Sequence, residues 1–235
     1  LLAYLPQSWP WSAGSRAGAG EAPAGGNRLR DRIPGLVGLV SGLLLVVAGG
    51  YALLFASLYG SAHSWVTASD WIYRNVPAGS TLAVEHWDTP LPLGVEVAGV
   101  LADPAQYAYQ ILPLYDKPDS TYKWEAIAAS LSESDVVILA SRRLFGSIPR
   151  LPERYPLATH YYDLLFSGEL GFELSGEFTR GPTWLNPRLP PLPGAAPAFL
   201  RPDESFVVYD HPRALVFHNV EYLPAEELQR RIGVP

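Results

Sequence analysis

The stretch Ile33–Tyr59 reads IPGLVGLVSGLLLVVAGGYALLFASLY, and no lysine, arginine, aspartate or glutamate lies between Arg32 and Asp70. A helix that rises about 1.5 Å per residue needs roughly 20 apolar residues to cross the hydrocarbon core of a bilayer. A buried core helix is usually shorter than this stretch, and a signal peptide ends in a small-residue cleavage site. We therefore predict one transmembrane helix over residues 33–59, which divides the chain into three parts.

Residues 1–32 are rich in Gly, Ala, Pro and Ser and have no apolar periodicity, which predicts a cytoplasmic or interfacial linker. The first basic residue after the helix is Arg74, whereas four arginines precede the helix: Arg16, Arg28, Arg30 and Arg32. Loops rich in lysine and arginine stay on the cytoplasmic side. The expected location is therefore the cell membrane, with residues 60–235 forming an extracytoplasmic domain.

Composition limits the function classes further. The formal net charge of the chain is −6, and residues 60–235 carry 13 lysines and arginines against 21 aspartates and glutamates. Such an acidic surface repels phosphates and argues against a nucleic-acid partner. The absence of cysteine excludes disulfides and thiolate chemistry. The chain begins at Leu1 and contains no methionine, which favours a fragment of a longer protein.

Strand and helix patterns alternate after the membrane helix. The run DVVILAS at 135–141 is short and rich in β-branched residues, as in a strand that is buried on both faces. In STYKWEAIAASL at 120–131, apolar residues recur with a helical period after Ser120, a residue suited to cap the helix. Further helices are expected after a cap at Thr67 or Ser69, at 157–167 and near Pro224. Further strands are expected at 81–86, 109–114 and 171–178, together with a hairpin of strands 205–209 and 214–219 joined by a turn containing Asp210 and His211. A loop is expected at 142–156 and a Pro-rich excursion at 181–202. This order predicts an α/β domain with a mixed sheet.

Three blocks resemble a known family: TASDWIYRNVPAGSTLAVEHWDTPLP (67–92), ILASRRLFGSIPRLPERYPLATHYYDLLFSGELGFE (138–173) and ESFVVYDHPRALVFHN (204–219). They resemble the C-terminal end of bacterial multi-spanning glycosyltransferases of the dolichyl-phosphate-mannose protein mannosyltransferase group. The resemblance implies an integral membrane enzyme that takes its sugar from a polyprenyl-phosphate carrier. The family's catalytic acid belongs to an early extracytoplasmic loop that has no counterpart here, so no catalytic residue is assigned and the chain alone is expected to be inactive.

Glu85, His86 and Asp88 close the strand predicted at 81–86. A carboxylate beside an imidazole suits proton transfer or metal binding. Alternation along a strand, however, directs Glu85 and His86 to opposite faces, which argues against a joint site. Capping or salt bridging in the turn that follows is the alternative role for these residues.

Four arginines follow the buried strand at 135–141: Arg142, Arg143, Arg150 and Arg154. Guanidinium groups bind phosphate with two parallel hydrogen bonds, and a lipid-linked sugar donor or an anionic headgroup offers that phosphate. The alternative is salt bridging to the acidic surface. Both this group and the acidic triplet are candidate contacts for substrate or lipid phosphate.

The sequence contains no Gly-rich phosphate loop, HExxH motif or EF-hand pattern, and we expect neither a cofactor nor a metal site. The expected partners are membrane lipids, with a polyprenyl-phosphate sugar donor and other membrane subunits as further candidates. Two other functions stay open. One is a single-span protein whose outer domain is a binding or assembly module in a larger complex, and the other is a stand-alone hydrolase that uses Glu85, His86 and Asp88.

Overall fold

The computed structural model describes residues 28–116, 118–180, 208–210 and 212–235. Residues 1–27 of the expected linker, the Pro-rich excursion, most of the first hairpin strand and His211 lie outside the described residues. The chain divides into two compact units, Leu1–Gly49 and Gly50–Pro235.

Helix α1 spans Arg28–Ser57 and contains the apolar stretch. Its segment Pro34–Ser57 has 24 residues and a mean hydropathy of 2.2, and it is the one helix among the described residues that meets the length and composition of a membrane span. None of the residues of this segment whose burial is described is buried. By length and composition, then, α1 is a candidate membrane span.

The second unit is built on a five-stranded sheet. Its strands are β1 (Thr81–Glu85), β4 (Ala108–Leu112), β5 (Val136–Leu139), β6 (Phe172–Phe178) and β7 (Ala214–Asn219), and a small hairpin is formed by β2 (Glu96–Val97) and β3 (Val100–Leu101). The order across the sheet is β4-β1-β5-β7-β6. β1 runs parallel to β4 and β5, whereas β7 runs antiparallel to β5 and β6. The expected α/β fold with a mixed sheet is confirmed.

Helices cover both faces of this sheet. They are α2 (Ser64–Asn75), α3 (Thr121–Ser132), the short α4 (Arg143–Ser147), α5 (Pro156–Ser167) and α6 (Ala225–Ile232). Buried residues of α3, α5 and α6 form one core with Val137 and Leu139 of β5. Buried residues of α2 form the other core with Val136 and Ile138. β5 therefore contributes alternate side chains to two apolar layers, as its β-branched sequence predicts.

Local sequence patterns also predict the helices α3 and α5, and the structure contains both. The Ser120 hydroxyl accepts a hydrogen bond from the Lys123 amide at 3.4 Å and caps α3. The apolar side of α3 is fully buried, as its spacing predicts. α5 ends at Gly168, whose φ of 83° lies in the left-handed region that glycine adopts without a steric penalty.

Tertiary contacts move three elements from their predicted positions. α2 begins before Thr67, with His63 as its N-cap, because Ser64 donates to the Pro212 carbonyl at 2.7 Å and holds the first turn. The loop at 142–156 contains α4 and a 3₁₀ turn at Ile148–Arg150, because Leu144 and Ile148 enter the core. The predicted hairpin is wrong: both edges of β7 are occupied, by β5 and β6.

Candidate functional site

The carboxyl ends of β1, β4 and β5 meet at one edge of the sheet, because these strands run parallel. β7 starts at this edge, since Leu215 pairs with Leu139, the last residue of β5. β6 ends there too, with Phe178 opposite Ala214. We call this side of the sheet the carboxyl edge. The term includes the adjoining segments 86–92, 113–116, 118–120, 140–156, 179–180, 208–210 and 212–213. In α/β folds ligands commonly bind at such an edge.

Asp88 and Arg143 come together at the carboxyl edge. Nε of Arg143 lies 3.6 Å from Oδ1 of Asp88, whose side chain is only 6% exposed. The Ser141 hydroxyl donates to Oδ2 of Asp88 and accepts from the Arg143 amide at 3.0 Å. Sequence reasoning proposed Asp88 and Arg143 separately and missed Ser141, whose one signal was its position at the end of the run 135–141.

Tyr209 completes this cluster from the segment before β7. Nη2 of Arg143 donates to the Tyr209 hydroxyl at 3.2 Å, and the guanidinium carbon lies 5.5 Å from the centre of the Tyr209 ring. A guanidinium over an aromatic face gains cation–π attraction. Arg143 is therefore held between a carboxylate and an aromatic ring, in an orientation that leaves its side chain 21% exposed.

Glu85 is directed into the core beneath this edge. It is 4% exposed, and the Tyr162 hydroxyl of α5 donates a hydrogen bond to its Oε1. Neither Oε2 of Glu85 nor the hydroxyl of the neighbouring Tyr161 has a hydrogen-bond partner within the described part of the chain. Tyr162 is 1% exposed and Tyr161 is fully buried, because α5 packs both tyrosines inward.

Burial is the main cause that raises the pKa of Glu85 to about 8. The negative charge of Asp88 raises it further, whereas the hydrogen bond from Tyr162 lowers it. Desolvation disfavours the charged form of a carboxyl group. Glu85 is therefore mostly neutral at pH 7.

His86 lies at the rim. Its Nδ1 is 3.1 Å from the Leu112 carbonyl, so Nδ1 carries the proton and donates. Nε2 lies 3.6 Å from Oδ1 of Asp116, which is beyond hydrogen-bonding distance. Glu85, His86 and Asp88 thus make separate contacts, and in the described ranges no group of three or more His, Cys, Asp or Glu side chains is placed to hold a metal ion. A hydrolase that needs the triplet to act jointly gains no support from this geometry.

The other predicted arginines take separate positions after β5. Arg142 precedes α4 and packs so closely that a Cβ added at Gly146 would lie 2.7 Å from its Cγ. Arg150 ends the 3₁₀ turn and is exposed. Arg154 is exposed, and its guanidinium carbon lies 5.5 Å from the centre of the Tyr155 ring. Of the acidic and arginine groups proposed from the sequence, the structure thus joins Asp88 with Arg143.

The residues from the end of α1 to the first turn of α2 are bonded to the same edge. Nε1 of Trp65 donates to the Ala140 carbonyl at 2.6 Å, directly after β5. Nε2 of His63 lies 3.1 Å from the Tyr209 carbonyl. The hydroxyl of Tyr59 donates to Oδ1 of Asp210. These contacts join positions far apart in the sequence, which is why local patterns did not predict them.

An open depression with a volume of about 770 Å³ lies where α5, β6 and α6 meet, away from the carboxyl edge. Its lining includes Glu173, Glu221 and Arg231. Arg231 bonds to Glu221 at 3.1 Å and to Glu227 at 2.9 Å. This charge is thus largely neutralised within the protein, and the carboxyl edge is the stronger candidate site.

The chain shows no significant match to a protein-family model, a curated protein or a solved structure. The fold and the carboxyl edge define an α/β domain that follows a candidate membrane helix. Its polar centre is the cluster of Asp88, Ser141, Arg143 and Tyr209, beside the buried acid Glu85.

Proposed function

We propose that the chain is the C-terminal part of a membrane glycosyltransferase that transfers a sugar from a polyprenyl-phosphate carrier, with its catalytic core upstream. In this proposal α1 spans the cell membrane and the α/β domain faces outside the cytoplasm. The observation that supports this proposal is that the 24-residue apolar helix is followed in the chain by residues that bond to the carboxyl edge. The resemblance of the three sequence blocks supplies the reaction class.

The carboxyl edge suits contact with a lipid-linked phosphate. A polyprenyl phosphate keeps its chain in the bilayer and its phosphate at the surface, within reach of residues that closely follow a membrane helix. Arg143 is oriented by Asp88 and Tyr209, and its side chain is 21% exposed. Arginine binds phosphate in a planar, two-pronged manner. We assign Arg143 a binding role and no residue of this chain a catalytic one.

The test is a transfer assay on the intact protein that contains this chain, in membrane vesicles supplied with polyprenyl-phosphate sugars and peptide or glycan acceptors. We expect transfer, and Arg143→Gln should raise the KM for the donor severalfold with a smaller effect on kcat. The matched control is Arg230→Gln, whose side chain is 72% exposed and lies in α6. Absence of transfer with every polyprenyl-phosphate donor would contradict the proposal.

A second candidate is a binding or assembly module for other membrane subunits. It is favoured by apolar side chains exposed on β3 and on the outer strand β4: Val100 at 69%, Leu101 at 74% and Ile111 at 63%. A photoreactive amino acid at Leu101 should then cross-link one membrane protein in stoichiometric amounts, whereas the same group at Glu173 should not. Sugar transfer without such a cross-link would favour the enzyme.

A further inference from the structure

The start of the α/β unit ties the carboxyl edge closely to the end of α1. Tyr59 lies two residues after Ser57, the last residue of α1, so their Cα atoms are at most about 7 Å apart. The Tyr59 side chain bonds to Asp210, and the Arg180 guanidinium carbon lies 5.0 Å from the centre of its ring. These three residues belong to the unit Gly50–Pro235. If Ser57 ends a membrane span, the carboxyl edge cannot be far from the bilayer surface.

Large aromatic side chains are exposed at this edge and at Tyr59, which bonds to Asp210 of the edge. Tyr59 is 57% exposed, Trp87 is 53% exposed and Tyr209 is 71% exposed. Trp87 follows β1 and packs against Tyr115, which follows β4, with ring centres 5.6 Å apart. Tyrosine and tryptophan favour the interface between membrane and water, because their rings are apolar and their polar atoms reach water. The exposed rings are thus of the type that a bilayer surface attracts.

The charges of the carboxyl edge differ from those of the rest of the domain. Its described segments carry about as many arginines as carboxylates, although acidic residues outnumber basic ones strongly over residues 60–235. The arginines are Arg142, Arg143, Arg150, Arg154, Arg180 and Arg213, and the carboxylates are Asp88, Asp116, Asp119, Glu153 and Asp210. Arginine near a membrane surface gains from phosphate headgroups, whereas a carboxylate surplus would be repelled. Within the described part of residues 60–235, the acidic surplus lies away from this edge.

We propose that the carboxyl edge of the sheet rests on the lipid bilayer, with the rings of Tyr59, Trp87 and Tyr209 in the interfacial layer and the neighbouring arginines at the level of the lipid phosphates. This inference rests on the membrane anchoring of α1 in the proposed function. It adds a second contact with the membrane, which fixes the tilt of the domain and turns the Asp88–Arg143 cluster toward the headgroups.

The chain has no cysteine, so single cysteines carry a spin label without background. The full chain is placed in phosphatidylcholine–phosphatidylglycerol nanodiscs, and collisions of the label with oxygen and with a water-soluble nickel chelate are measured. Trp87→Cys and Tyr209→Cys test the edge. Val220→Cys is the matched control, because Val220 is 50% exposed and directly follows β7, at the opposite side of the sheet. Val46→Cys reports on α1.

Labels at 87 and 209 should show severalfold less collision with nickel than the label at 220, together with more collision with oxygen. If the label at 46 is in the bilayer but those at 87 and 209 meet nickel as often as the one at 220, this inference is overturned and the anchor stands. Labels at 87 and 209 shielded from both reagents indicate a protein partner and also overturn it. A label at 46 that is open to nickel overturns the anchor itself and this inference with it.

Discussion

The hydroxyl of Tyr162 in α5 donates a hydrogen bond to Oε1 of Glu85, the last residue of β1, so a helix and a strand are joined by a polar contact within an apolar core. The two residues lie 77 positions apart in the sequence. Buried polar groups are costly unless they are bonded. This single contact therefore helps to fix α5 on the sheet, while burial, and not this hydrogen bond, keeps Glu85 neutral.

The stability of the domain should fall as pH rises because of Glu85. Its folded-state pKa of about 8 exceeds the ordinary value of 4.5, so between these values the folded chain binds one more proton than the unfolded chain. The contribution of Glu85 is complete below pH 4.5 and is lost as pH rises toward 8, at about 1.4 kcal/mol per pH unit. Urea unfolding of the full chain at several pH values measures this slope.

Glu85→Gln should remove most of this pH dependence, since an amide resembles the neutral acid and does not ionise. The variant should match the wild type near pH 5 and exceed its free energy of unfolding at pH 8. Glu133→Gln, at an exposed position, is the control and should keep the wild-type slope. Equal slopes in Glu85→Gln and the wild type would show that Glu85 is ionised in the folded protein.

Tyr162→Phe should lower the free energy of unfolding by about 1–3 kcal/mol, because it leaves Oε1 of Glu85 buried without its donor. It should also raise the pKa of Glu85, since the lost hydrogen bond lowers that pKa. Chemical denaturation measures the first effect and the midpoint of the pH–stability curve the second. Tyr122→Phe, on a side chain that is 82% exposed, should change neither quantity.

Asp88 and Arg143 should be energetically coupled. A double-mutant cycle with Asp88→Asn and Arg143→Gln should give a coupling energy of about 0.5–2 kcal/mol, because the carboxylate is almost fully buried and both partners contact Ser141. The exposed pair Asp70 and Arg74 in α2 provides the comparison and should be coupled more weakly. Additive effects at Asp88 and Arg143 would mean that the two groups are screened by water.

Gly168→Ala should destabilise the domain by about 1 kcal/mol or more, because φ is 83° at this position and alanine is strained there. The added Cβ itself has space, since the nearest atom, the Phe172 carbonyl oxygen, is 3.9 Å away. Ser167→Ala, at the exposed end of the same helix, is the control. A thermal melt that shifts equally in both variants would show that the left-handed conformation is unimportant.

The parts of the fold that local sequence patterns determine were predictable. β5 follows from a short β-branched run, α3 from apolar residues at helical spacing behind Ser120, and the end of α5 from Gly168. The candidate site was only half predictable. Asp88 and Arg143 were identified as chemical groups, but the hydroxyl that links them belongs to Ser141, 53 positions from Asp88.

Contacts between distant segments account for the remaining differences. His63 caps α2 because the first turn of α2 is held by the Pro212 and Ala140 carbonyls, which no local pattern reveals. Tyr162 is buried and its hydroxyl bonds to Glu85 in the core. Helical periodicity alone does not show whether this residue lies on the buried or the exposed face of α5. The hairpin prediction failed since two apolar runs close in sequence need not pair when other strands occupy both edges.

The position of β7 between β5 and β6 has a consequence for the synthesis of the protein. β6 has no neighbour in the described sheet other than β7, so it cannot join the sheet until residues 214–219 have been translated. The parallel strands β1, β4 and β5 are therefore translated first, whereas β6 has no partner strand until β7 is translated more than 30 residues later. The domain acquires its final shape only when this late strand is inserted, and during that interval the open side of β5 needs protection from other chains.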